Sequence, residues 1–200
     1  PLNSMVFHLL EKSEKISQIA AWCSGLLLFL AAIMIAVEVV LRKAFAVSMG
    51  GADELSSYAL AISCTWGFSY ALFRKSHIRI DVLYCRLPQK GQAFLDLLAY
   101  GLLAIYLVTL SYFAFLVVKT SVIKHSVANT PLATPLWVPQ ALWLLGLFWF
   151  AFMIFVILAA TCYYRLRGNP QQAAKVSGIS TLDEEIQETA DVTIKRKQQK

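Results

Sequence analysis

Charge is scarce in this sequence and confined to short stretches. Only 15% of its 200 residues are charged, against about 25% in soluble domains. Four stretches carry no charge at all: 16–37, 55–73, 97–118 and 126–164, of 22, 19, 22 and 39 residues. Cysteine pairs are missing too. Cys23, Cys64, Cys85 and Cys162 stand apart, and without an exposed Cys-x-x-Cys the chain has no thiol-exchange chemistry. The cysteines read as packing residues. His8, His77 and His125 all lie outside the apolar runs, which excludes a haem-bearing helical bundle, where histidines within the spans hold the iron. There is no Gly-rich phosphate loop and no Ser/His/Asp set. The one dense basic stretch lacks interleaved aromatics and abuts an apolar run, which argues against nucleic acid.

What remains is 58% hydrophobic and organised by length. Each uncharged run reaches the roughly 17–25 residues that a helix needs to cross a bilayer. The fourth is too long for one span, but Pro131, Pro135 and Pro139 break its start. The pattern predicts an all-α membrane protein with transmembrane helices at about 16–41, 55–73, 93–118 and 140–164, forming one domain over 1–165. The first run is too long for the roughly 7–15-residue core of a cleaved signal peptide. Residues 166–200 are rich in Gln, Lys, Glu and Thr, and are expected to form a polar, mostly disordered cytoplasmic tail. Thr181 and Glu184 make a capping box for a short helix there.

Lysine and arginine distribute unevenly over the connections. Alternating the sides gives fourteen on the side of the termini and the middle loop, against four on the other. The positive-inside rule then places both termini and the middle loop in the cytoplasm, as expected of a multi-pass protein of a bacterial inner membrane. Within the middle loop, Lys75, Arg79, Arg86 and Lys90 share one helical face. They predict an amphipathic interfacial segment with its cations towards anionic lipid headgroups, although the alternation "HIRIDV" also fits a short strand.

Two features inside the spans bear on function. Glu38 is the one ionisable residue set well into apolar surroundings. It is either a coupling, proton or cation site, or the partner of Arg42 four residues on. Ala59, Ser63, Gly67 and Ala71 recur every four residues along the second span, a spacing that lets helix backbones approach closely in lipid. The fourth span carries Trp143, Phe148, Trp149, Phe150 and Phe152, a bulky surface suited to lipid or a large helical partner, with Trp137 and Trp143 at its outer interface.

Four motifs together resemble a known family. "EVVLRKAF" closes the first span, "GADELSSYAL" opens the second, "SYALFRKSHIRIDVL" closes it, and "TPLATPLWVPQ" precedes the fourth. Over residues 5–165 the chain resembles the small permease subunit, of DctQ type, of tripartite ATP-independent periplasmic (TRAP) transporters. The resemblance implies a scaffold beside a large membrane subunit that holds the substrate and sodium sites and moves as an elevator. It also implies a periplasmic binding protein that delivers a small carboxylate or sulfonate. No catalytic, cofactor, metal or substrate-binding residue is expected in this chain. Sodium would be bound by the large subunit. Glu38, Arg42, Asp53, Glu54, His77, Arg79, Asp81, Pro135, Trp137 and Pro139 stand at motif positions, as candidate contacts to that partner. The competing reading is an autonomous four-helix transporter coupled through Glu38.

Overall fold

A computed structural model describes residues 2–74 and 88–168. Among the described residues four helices follow one another: α1 (Leu2–Phe45), α2 (Ala52–Phe73), α3 (Gln89–Ile123) and α4 (Trp137–Leu166). No strand occurs among the described residues, only an isolated antiparallel bridge between Val127 and Pro135. The expected amphipathic segment, with Lys75, Arg79 and Arg86, falls in 75–87, outside the described residues. So do His77 and Asp81, and the tail beyond 168 with its capping box. Lys90 lies in the first turn of α3.

Three helices are long and apolar enough to cross a membrane, over Leu9–Phe45, Phe94–Ile123 and Trp137–Leu166. α2 is not among them. Its 22 residues make about 33 Å of helix, enough for a hydrocarbon core of about 30 Å. Its two acidic residues and its Ser and Thr side chains dilute the apolarity.

The helices outrun the uncharged runs that foretold them. α1 extends back through Glu11, Lys12, Glu14 and Lys15, because these are good helix formers and Lys15 Nζ lies 2.9 Å from Glu11 Oε1 one turn away. Charge bounds the apolar part of this helix, not the helix itself. Pro139 does not break α4 but sits buried in its first turn, where a missing N–H leaves no bond unmade. Pro131 and Pro135 stay in the connection. α3 starts after Pro88 and ends in a Schellman turn: Ser126 N donates to Ser121 O at 3.0 Å and His125 N to Val122 O at 3.3 Å. His125 holds the left-handed position, at φ 48°.

In space the order is α1, α2, α4, α3, with α1 also touching α4. The main core joins α3 and α4 through Tyr100, Leu107, Leu147, Met153, Ile154 and Ile157, with Leu72 of α2 at its edge. α4 is therefore central: 44% of its apolar stretch is buried, against 17% in α1 and 22% in α3. The aromatic surface expected to meet lipid or a large helical partner is divided between the bundle interior and its outside. Phe150 is buried, Trp143 and Trp149 are half-buried, and only Phe148 and Phe152 are exposed.

Polar atoms stitch the helices where the sequence offers them. Ser63 Oγ donates to Ser24 O at 3.0 Å between α2 and α1. Trp66 Nε1 donates to Leu142 O at 3.1 Å between α2 and α4, and Trp149 Nε1 to Ser17 Oγ at 3.1 Å between α4 and α1. At Gly146 α4 approaches α2 too closely for a side chain. A Cβ there would lie 2.5 Å from Thr65 Oγ1 and 2.9 Å from Thr65 Cβ. Within the small-residue stripe Ala59 and Ser63 are buried while Gly67 and Ala71 are half-buried. A Cβ on Gly67 would meet nothing within 4 Å.

Candidate functional site

The α1–α2 and α3–α4 connections meet at one end of the bundle, and the motif residues within the described chain gather there. Two buried carboxylates organise this cap. Glu38 lies two turns before the end of α1 and is 4% exposed. After Phe45 the chain reverses through Ala46 at φ 53°, which lays Ser48 and Met49 back over Glu38. Oε1 accepts from Ser48 Oγ at 2.7 Å and from Arg42 Nη2 at 2.8 Å; Oε2 accepts from Met49 N at 2.8 Å. The pairing with Arg42 is thus present, but the Arg42 side chain is 61% exposed, so that ion pair contributes little. The hydroxyl and the amide are the partners that fold the connection onto the helix.

Glu54 does the same for the other connection. It occupies the first turn of α2 beside Asp53, where the helix dipole favours negative charge. It is 8% exposed, accepts from Tyr58 Oη at 2.8 Å on its own helix, and accepts from Thr130 Oγ1 across the cap. The segment bearing Thr130 is itself braced, with Ala128 N donating to Thr134 O at 2.9 Å and Leu136 N to Ser126 O at 3.0 Å. The two connections also touch directly. Gly50 turns at φ 73° against Pro131, and a Cβ on Gly51 would overlap the Leu132 side chain.

The other candidates sit around this frame. Asp53 is exposed, and its backbone carbonyl accepts from Ser56 and Ser57 at 3.0 and 2.7 Å. Pro135 and Trp137 are exposed, and Pro139 is buried. Thr130, Ser48 and the Met49 amide were not singled out in the sequence. Ser48 falls inside the recognisable "AVSMGG" turn, but the partnership of Glu54 with Thr130 spans 76 positions and leaves no local signal.

This geometry consumes acceptor capacity. Each carboxylate oxygen of both residues is engaged by a donor of the chain itself. The cap can brace two connections; among its described residues no group of three His, Cys, Asp or Glu side chains is arranged to hold a metal ion.

Comparison with known proteins decides the family. The description "Tripartite ATP-independent periplasmic transporters, DctQ component" matches residues 31–167. The chain belongs to this DctQ family. The match runs from the middle of α1 to the end of α4 and takes in the whole cap, so the motif positions of the described chain lie inside it. The family is one of transporter components rather than of enzymes, and three long apolar helices fit a multi-pass membrane protein. No curated protein and no solved structure matches the chain.

Proposed function

We propose that this DctQ chain is the scaffold subunit of a sodium-coupled secondary transporter of the inner membrane. It supports a large elevator-type subunit in the uptake of a small carboxylate or sulfonate that a periplasmic binding protein delivers. The observation that carries the reading is the state of Glu38 and Glu54. Both carboxylates of the cap are spent on the chain's own connections, so neither is left free to hold a coupling ion, as an autonomous transporter would require; the third buried carboxylate among the described residues, Asp96 of α3, is also engaged.

α2 is the fourth crossing. It is long enough, and α1 and α4 flank it, so its Ser and Thr side chains meet protein rather than lipid along much of its length. With four crossings, the cap stands on the side with four cations and faces the periplasm. The termini and residues 74–90 lie on the side with fourteen, the cytoplasm. The basic loop lies along the anionic inner leaflet, and His77, Arg79 and Asp81 contact the large subunit. An Asp at such a boundary is costly unless a cation meets it.

Reconstitution tests the assignment. The chain alone in vesicles moves no solute under a sodium gradient, and joined to its large subunit and binding protein it supports uptake. Uptake by the chain alone would overturn the scaffold reading and reinstate the autonomous one. Asp81→Asn and His77→Ala lower the yield of the two-subunit complex without changing cysteine accessibility. Undiminished co-purification in both would remove this stretch from the interface.

A further inference from the structure

We draw no further inference here: the strongest candidate, the open apolar groove on the α1–α2 flank lined by Ala21, Trp22, Gly25, Phe29 and Tyr70, carries nothing because nothing in the structure shows what covers it.

Discussion

The contact between α2 and α4 can be weighed by making one chemical change at two places. Gly146→Ala and Gly67→Ala each add a methyl group to a helix interior. Both gain the same intrinsic helix preference, about 1 kcal/mol, and that gain cancels when the two are compared. What remains is the surroundings. At Gly146 the new Cβ meets Thr65 Oγ1 at 2.5 Å, and Thr65 Cβ and Trp66 Cδ1 both at 2.9 Å. Real Cβ atoms do not come so close. Thr65 cannot swing away, because its Cβ is fixed to the backbone and its hydroxyl donates to Ile62 O at 2.9 Å. The two helices must separate, and overpacking of this kind costs about 1–3 kcal/mol. At Gly67 nothing lies within 4 Å. Gly146→Ala should therefore unfold below Gly67→Ala by about 2–12 °C, at about 2–4 °C per kcal/mol for a chain of this size. Thermal unfolding in detergent, followed by tryptophan fluorescence, reads the difference. Equal midpoints, or a lower one for Gly67→Ala, would refute the close approach of α2 and α4.

The cap gives three further expectations. Glu38→Gln can keep its one carbonyl oxygen towards Met49 N while its NH2 donates to the Ser48 hydroxyl and Arg42 turns to water, so uptake by the complete transporter stays near wild type; loss of sodium-coupled uptake with normal assembly would make Glu38 a coupling residue after all. Thr130→Val removes a hydroxyl from Glu54, and hydrogen exchange at the Ala128 and Leu136 amides should quicken while the amides of α3 stay protected; unchanged exchange would show that the backbone bonds alone hold the connection. Single cysteines placed in 44–52 or 121–134 should react with an impermeant reagent from outside the cell, and those in 76–90 should not; external labelling at position 88 would invert the membrane orientation.

The all-α character and the helix order were legible because apolar run length is a one-dimensional property. Helix ends were less so. Charge stops a membrane span but not a helix, and Glu11 with Lys15 carries α1 on past its apolar stretch. Gly146 was passed over because it stands alone among Leu, Trp and Phe. Yet a single glycine in so bulky a run is a signal in itself: the helix gives up a side chain there for a neighbour's approach. The stripe on α2 drew notice by its spacing, but spacing alone does not say which members meet a helix. Ser63 reaches Ser24, whereas a Cβ on Gly67 would meet nothing within 4 Å among the described residues. The aromatic run of α4 left lipid and a helical partner open for a related reason. Aromatic bulk marks contact with something large, and α3 and α2 are as large as any lipid.

The placing of α2 connects these points. A helix that carries Ser63, Thr65 and Ser69 on its buried side is poorly suited to lipid, so its insertion depends on neighbours that cover those groups. Ser63 is satisfied by α1, while Thr65 and Ser69 bond back to their own helix, Ser69 Oγ donating to Trp66 O at 2.7 Å. α4 leaves room for Thr65 by having no side chain at Gly146. Trp66 adds a bond to Leu142 O of α4, and two further contacts lie at the ends of α2, Glu54 to the α3–α4 connection and Leu72 to the α3–α4 core. Each tie reaches an element far away in sequence. The one described helix that falls short of a membrane span in apolarity is thus the one that joins the α1 half of the chain to the α3–α4 half, and polarity that would penalise it in lipid becomes the means of that joining. A large subunit leaning on this chain would then meet one connected body rather than two hairpins free to slide.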